Sequence, residues 1–364
     1  MNPLRLRRSL LMASALAPLT SAANAATVEF AKVLAQPLVF PRDHGAHPDY
    51  RVEWWYLTGC LQDNASGAPL GIQVTFFRVR TPIDPDNPSR FAAHQLLFAH
   101  VALADAANAS LLIDQRIARV SSSVVRMAQT DTDIDLNRWR LSRSADGRYE
   151  CEVPARSFRL HFVASPSQPV LQQGQDGLFP KQAGGGYASH YYSAPQLRIE
   201  AEIQRADRKQ VAGGLAWLDH EWASTLLEPQ AVGWDWLGMN LADGTALTAF
   251  QTRRKDDGAI LFAYASMRSP DQAAARVFPP NQVRFEGLRE WESPRTRARY
   301  PVAQRVSVGE RVFETRPWFA DQELDARATG SAIYWEGASE LLEGGRPVGR
   351  GYLEMTGYAA PLTL

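Results

Sequence analysis

Residues 53–80, EWWYLTGCLQDNASGAPLGIQVTFFRVR, decide the fold. Residues 53–61 and 71–80 are rich in aromatic and β-branched side chains, and the turn-rich residues 62–69 separate them. Such side chains favour the extended backbone, whereas Gly, Pro, Asn and Asp favour turns. The stretch therefore predicts a β-hairpin of two long strands.

The same pattern recurs at an offset of 180 residues, in residues 234–253, WDWLGMNLADGTALTAFQTR. At this offset four pairs of identical or similar residues align: Trp54 with Trp234, Tyr56 with Trp236, Leu57 with Leu237, and Leu61 with Leu241. One interpretation is a barrel-like unit that occurs twice, with a boundary between residues 222 and 233. The other is chance similarity between two hairpins.

The rest of the chain continues the period of two that is typical of antiparallel strands. Further strands are predicted at residues 94–104, 139–144, 148–153, 197–204, 211–217, 259–267, 312–318, 331–336 and 349–356. Only residues 270–276 and 321–328 fit short helices. Many short strands favour closed barrels or sandwiches, which leave no long exposed edge. The predicted fold class is all-β.

The chain begins with a predicted secretory signal, residues 1–25. It has three arginines, an apolar run at residues 10–19 and the small residues Ala23-Asn24-Ala25. Arg7-Arg8 fits the twin-arginine route as well as the general one. The remaining 339 residues exceed what one core usually fills. We therefore expect a periplasmic or secreted protein with two domains, residues 26–224 and 225–364.

Charge and hydropathy exclude two classes of function. The chain has 39 basic and 39 acidic residues, and without the signal its net charge is near −3. Nucleic-acid binding needs a basic patch, and a membrane span needs about 20 apolar residues, so we expect neither. Cys60 and Cys151 could pair in an oxidising compartment or stay as buried thiols, and both remain open.

The densest cluster of chemically useful groups is residues 217–222, WLDHEW. On a strand, Trp217, Asp219 and Glu221 would share one face, with His220 on the other. Burial beside tryptophan and mutual repulsion would raise the pKa of one carboxyl, giving an acid still protonated at neutral pH. Such an acid can protonate an alkene. The alternative is that both acids pair with arginines or cap the domain junction.

Other candidates are aromatic and histidine side chains that could contact a substrate, although each could equally be structural. They are Glu53, Trp54, Tyr56, His100, Tyr191, His220, Trp234 and Trp236. The chain has no H-E-x-x-H, C-x-x-C, G-x-S-x-G, phosphate-loop or dinucleotide motif. We therefore expect no metal and no cofactor.

Several segments together resemble the AttH-like family, which is related to carotenoid 1,2-hydratases (hydroxyneurosporene synthases). They are residues 40–45, FPRDHG; 53–59, EWWYLTG; 75–78, TFFR; 190–193, HYYS; 217–222; 233–236, GWDW; and 351–358, GYLEMTGY. The resemblance implies two lipocalin-like β-barrels with a ligand cavity near their junction. It also implies that Asp219 occupies the proton-donor position of the hydratases. Those enzymes have Tyr where Trp217 stands and Asn where Glu221 stands.

Three hypotheses follow. The first is a cofactor-independent hydratase or lyase acting on a hydrophobic, unsaturated substrate, with Asp219 as general acid, Glu221 raising its pKa, and tryptophan rings stabilising positive charge. The second is a periplasmic carrier of a lipid or another apolar small molecule. The third is an accessory protein that docks on an exporter complex.

Overall fold

The protein is described by a computed structural model that covers residues 28–89, 91–182, 184, 186–206, 208–330 and 332–362. The predicted signal lies outside these residues. The described chain forms two antiparallel sheets of 13 and 10 strands, and each sheet curls into a barrel. The fold is all-β, with two lipocalin-like barrels side by side, as predicted.

The first sheet contains β1 (Val52–Asp63), β2 (Pro69–Arg80), β3 (Gln95–Asp105), β4 (Ser110–Arg119), β5 (Val125–Met127), β6 (Asp133–Leu136), β7 (Trp139–Arg143), β8 (Tyr149–Pro154), β9 (Arg159–Ser165), β10 (Leu171–Gln172), β11 (Leu178–Pro180), β12 (Ala188–Arg205) and β13 (Arg208–Ala223). The second contains β14 (Ala231–Leu241), β15 (Ala246–Arg254), β16 (Ile260–Arg268), β17 (Arg276–Phe278), β18 (Val283–Glu292), β19 (Arg299–Val308), β20 (Arg311–Pro317), β21 (Glu323–Asp325), β22 (Ile333–Glu343) and β23 (Arg346–Met355).

Helices among the described residues are single 3-10 turns at Arg42–His44, Pro280–Gln282 and Arg327–Thr329. The helix predicted at 270–276 is wrong, and of the one predicted at 321–328 only the turn at its C-terminal end is helical. Residues 270–275 form turns, and Glu323–Asp325 is a strand that pairs with β22. An isolated helix of seven or eight residues gains too few hydrogen bonds to offset nucleation, so strand pairing prevails. None of the helices in this part of the chain has the length or apolar character to cross a membrane.

The two sheets repeat one topology. In the first, β1 pairs with β2 on one side and with the last strand, β13, on the other. In the second, β14 pairs with β15 and with the last strand, β23. β1 and β14 are the strands that match at the 180-residue offset. The shared topology therefore supports the interpretation that one barrel unit occurs twice.

The matched strands are buried on both faces, which explains their almost unbroken apolar sequence. One face of each strand packs into its own barrel, with Leu57 in the first core and Leu237 in the second. The opposite face meets the other barrel, where Tyr56 and Trp236 belong to a third apolar cluster. We call this contact between the barrels the seam.

The two cysteines are both buried and free. Cys60 belongs to the seam, whereas Cys151 lies in the core of the first barrel.

Candidate active site

A cavity opens at the seam between the two barrels. Small-molecule sites lie preferentially at interfaces of this kind between domains. Ten aromatic side chains from both barrels line it: Trp54, Tyr56, Phe77, Phe98, Phe179, Tyr191, Trp234, Trp236, Phe250 and Tyr334. The charged side chains in its wall are Glu53, Arg78, Lys181, Asp219, Glu221, Glu336 and Glu354.

A wider groove elsewhere on the surface is lined by residues of β10, β11 and β16, among them Leu178 and Tyr264. Its one acidic lining residue, Asp176, is exposed to solvent. The seam cavity has buried acids against aromatic rings, so it is the candidate site.

Asp219 lies on β13 and points into the cavity with its carboxyl fixed by three donors. The Ser193 hydroxyl donates to Oδ1 at 2.5 Å, and the Trp217 indole N–H donates to the same oxygen at 2.7 Å. The Tyr191 hydroxyl donates to Oδ2 at 2.7 Å, and the Trp236 N–H donates to that hydroxyl oxygen at 3.2 Å.

Burial raises the pKa of Asp219 to about 7, although its three hydrogen bonds by themselves favour the ionised form. Repulsion from Glu221 acts in the same direction as burial. Oδ2 accepts only from Tyr191, whose hydroxyl can rotate, whereas Oδ1 also accepts from a fixed indole. We therefore assign the proton of the neutral acid to Oδ2, where it can face the cavity.

Glu221 lies two residues along the same face, as predicted, but it forms an ion pair. Its partner is Lys181, which is buried, donates to the Leu226 carbonyl at 3.3 Å and lies 4.9 Å from the centre of the Trp54 ring. Lys181 was not predicted from the sequence, because it lies in an irregular, glycine-rich segment. The local sequence offers only a single lysine two residues after Phe179.

Two more acids were missed, both in the second barrel. Glu354 on β23 lies opposite Trp236, just as Asp219 on β13 lies opposite Tyr56. Because Trp236 and Tyr56 match at the 180-residue offset, Glu354 and Asp219 occupy equivalent positions. They are only 135 residues apart in the chain, so that offset did not reveal the correspondence.

Glu336 on β22 lies opposite Glu354, at the position that Ser193 has opposite Asp219. Its side chain is buried, and the Tyr56 hydroxyl lies close enough to its carboxyl to favour the ionised form, although neither oxygen has a hydrogen bond of normal geometry among the described residues. Burial, with repulsion from Glu354, raises its pKa well above the usual range. Burial likewise raises the pKa of Glu354, to about 7.

Six of the predicted substrate-contacting residues line the cavity. They are Glu53, Trp54, Tyr56, Tyr191, Trp234 and Trp236. A side chain at Gly238 would crowd this wall, since a Cβ there would lie 2.5 Å from the Trp236 ring and 3.1 Å from that of Trp217. Because Gly238 has no side chain, both indole rings can pack against this strand.

His220 and His100 lie outside the cavity wall. His220 is on the opposite face of β13 from Asp219, where it stacks on Trp55 and contacts Glu53 at 3.0 Å. Strand alternation forces that placement. His100 is buried between the hydroxyls of Tyr334, at 2.8 Å, and Thr329, at 3.0 Å. It thereby orients Tyr334, which does line the cavity.

Glu53 is held by a network of its own. His47 contacts it through its ring at 2.8 Å and its backbone N–H at 2.9 Å, and Arg78 donates at 2.7 Å. Although burial alone would raise it, the charge of Arg78 and the hydrogen bonds from His220 and His47 hold the pKa of Glu53 well below its usual range. Glu53 is therefore a charged structural group rather than a proton donor.

His47, Glu53 and His220 also place one potential metal ligand each within 4.8 Å of one another. The guanidinium of Arg78 already neutralises the Glu53 carboxylate, at 2.7 Å. A divalent cation would face this positive charge and break the hydrogen bonds that fix both histidines. We therefore assign the cluster as a hydrogen-bond network.

Solved structures with this architecture include enzymes. An AttH protein from Nitrosomonas europaea is 45% identical, with a TM-score of 0.84 over 90% of this chain and 100% of that one. Kievitone hydratase from Nectria haematococca shares the fold at 14% identity, with a TM-score of 0.66 over 92% and 97%. CghA, solved with Sch210972, is 13% identical, with a TM-score of 0.50 over 84% and 87%.

No curated protein matches the sequence. The family model for AttH-like proteins matches residues 32–358, which include both barrels and every acid of the cavity. The chain therefore belongs to the AttH-like family.

Proposed function

We propose that the protein is a cofactor-independent hydratase or lyase that acts on an unsaturated, terpenoid-like or lipid-like molecule in the seam cavity. The observation that supports this most directly is Asp219: a buried acid, fixed by three donors, with a pKa near neutrality inside an aromatic wall. A general acid works best when its pKa lies near the operating pH. From the predicted signal we expect this activity in the periplasm or outside the cell.

In the hydration direction, the proton on Oδ2 of Asp219 passes to one alkene carbon. The neighbouring carbon becomes electron-poor, and the faces of Trp234 and Trp236 favour that developing positive charge. Water then bonds to this carbon through its oxygen and gives one of its protons to a carboxylate of the cavity wall. The reverse sequence removes water from an alcohol, so one site serves both directions.

Glu221 forms an ion pair with Lys181, and this pair lies beside Asp219. Its repulsion helps to keep Asp219 protonated. Lys181 in turn covers the face of Trp54, so it closes one part of the wall. Glu221 is therefore a positioning residue, whereas Asp219 is the catalytic one.

Native mass spectrometry of the mature protein from its own cells is the first test. We expect one apolar molecule per chain. That molecule, incubated in heavy water, should gain or lose the mass of one water, with deuterium on carbon in the hydration product. Asp219→Asn should retain the molecule and leave it unchanged, whereas Asp63→Asn, a buried acid outside the cavity, should behave as wild type.

Other results would overturn the proposal. A bound molecule that wild type leaves unchanged would make the protein a carrier. A protein that retains nothing and takes up no apolar fluorescent probe would contradict both ligand hypotheses and favour docking on an exporter complex.

A further inference from the structure

The second barrel places two carboxyl groups in the cavity wall, and the proposed reaction has not yet used them. Glu336 is only 4% exposed, and the Tyr56 hydroxyl is the neutral group beside its carboxyl. Glu354 faces it directly across β22 and β23. The two buried cations of the cavity wall, Lys181 and Arg78, pair with Glu221 and Glu53 instead. A buried acid without a cationic partner is costly unless a ligand or a proton satisfies it.

Two hydrogen-bonded aromatic side chains, Tyr191 and Trp236, lie between Asp219 and the glutamate pair. The Tyr191 hydroxyl donates to Asp219, and the Trp236 N–H donates to the Tyr191 oxygen. Trp236 is in turn the direct register neighbour of Glu354. A ligand lying along these two rings would therefore have Asp219 at one end and the glutamates at the other.

Two carboxyls in direct opposition cannot both ionise without repulsion, so a buried pair keeps a proton that it can exchange. Burial, together with repulsion from Asp219 and Glu221, raises the pKa of Glu354 and so strengthens this effect. The rings of Trp234 and Tyr334 add negative π faces to the same region. The environment favours positive charge on the ligand.

We propose that Glu336 and Glu354 share a proton and form the second acid–base group of the cavity, which stabilises positive charge on the substrate and accepts a proton from the water that adds. This inference rests on the proposed function and extends it. Asp219 gives its proton to one alkene carbon, and the water oxygen bonds to the other. The glutamate pair takes one proton of that water, and the product is the alcohol. Proton transfer from the pair back to Asp219, directly or through solvent, restores the starting state.

A cationic mimic tests the pair without a known substrate. N,N-dimethylgeranylamine is protonated at pH 7, as a lysine side chain is, and geraniol is a neutral partner of the same chain. In calorimetry on the mature protein, we expect the amine to bind about tenfold or more tightly than geraniol. Glu354→Gln and Glu336→Gln should each remove most of this preference and leave geraniol binding unchanged.

Proton release identifies the acid that responds. A cation in the cavity lowers the pKa of a nearby pair, so amine binding near pH 7 should release a proton, seen as a binding heat that depends on the buffer. Release should persist in Asp219→Asn and disappear in the double variant Glu336→Gln with Glu354→Gln. Glu340→Gln, an acid on the same strand that pairs with Arg316, is the matched control.

The inference is overturned if the amine binds no better than geraniol, or if only Asp219→Asn abolishes release. Water addition that depends on Asp219, with no effect of the glutamates on the amine, would keep the proposed function and remove this inference. The opposite pattern would leave a cation site and remove the proposed function.

Discussion

The two barrels place an acid at the same register position and surround it differently. In the first barrel, Asp219 faces Ser193 and accepts its hydrogen bond. In the second, Glu354 faces Glu336, which adds a second acid instead of a donor. One change of residue on the neighbouring strand therefore separates an acid with a fixed orientation from a pair that must share protons.

The largest effect should come from Asp219→Asn, which removes the proton donor and keeps the side-chain shape. We expect water addition to fall about 10²–10⁴-fold, the usual contribution of a positioned general acid. Turnover of the molecule identified by mass spectrometry measures it. A fall no larger than that of Asp63→Asn would mean that the first barrel's acid is structural, like Glu53.

The second effect concerns stability and pH. The ordinary pKa of an aspartate is 3.8, and in the folded protein that of Asp219 is about 7. Between these values the folded chain holds a proton that the unfolded chain has released, so stability falls as the pH rises, by about 1.4 kcal/mol per pH unit. Below and above this pH range the folded and unfolded chains hold the same number of protons on Asp219, so this residue adds no pH dependence to the free energy of unfolding.

Urea unfolding at pH 5 and pH 8 tests this. The loss of unfolding free energy between them should be about 3 kcal/mol smaller in Asp219→Asn than in wild type. An equal loss in both proteins would mean that Asp219 is ionised throughout.

The third effect should have the opposite sign in the two barrels. Glu336→Gln removes one of two opposed buried carboxyls, so we expect it to stabilise the protein by about 1–3 kcal/mol at pH 8. Ser193→Ala removes a donor to Asp219 and should destabilise by about 1–3 kcal/mol. Glu340→Gln is again the control for the strand, and destabilisation by Glu336→Gln would show that favourable contacts outweigh the repulsion within the pair.

The smallest effect should be a shift of one titration. Trp217→Phe removes a fixed N–H donor to Asp219, and a hydrogen bond to a charged group is worth about 1.5–3 kcal/mol. The pKa of Asp219 should therefore rise by about 1–2 units, seen as a shifted pH profile of turnover. Trp139→Phe, at a buried tryptophan of the first core, should leave the profile in place.

Local patterns were enough to predict 13 of the 23 strands and the acids of the first barrel, but not β4, β9, β18 or β19, whose sequences are more polar. Alternation around Trp54 and Trp234 revealed both hairpins, and strand parity put Asp219 and Glu221 on one face. That parity also separated His220 from Asp219, although His220 was kept as a substrate contact. Glu336, Glu354 and Lys181 could not be predicted, because their roles depend on which distant strands become neighbours. No local sequence pattern indicates that β23 pairs with β14.

The domain boundary at residues 224 and 225, the export route and the site roles stay predictions. Both barrels and the family were predictable because many short motifs agree in order along the chain. The second acid pair was not, because it exists only when two strands of the second barrel meet.

Glu53 also matters to anyone who shortens this protein for crystals or for display on a phage. Its carboxylate accepts the backbone N–H of His47, and Arg78 donates to the carbonyls of His47 and Tyr50. Residues 47–50 are thus fastened by a buried ion pair to strands that begin only afterwards in the chain. A polypeptide that starts at residue 51 would leave buried polar groups of that network without partners, at a cost of about 1–3 kcal/mol for each group. A cut before Phe30 keeps the network, the Leu38 side chain that packs on the first core and the backbone hydrogen bond from Ala31 to Asp49.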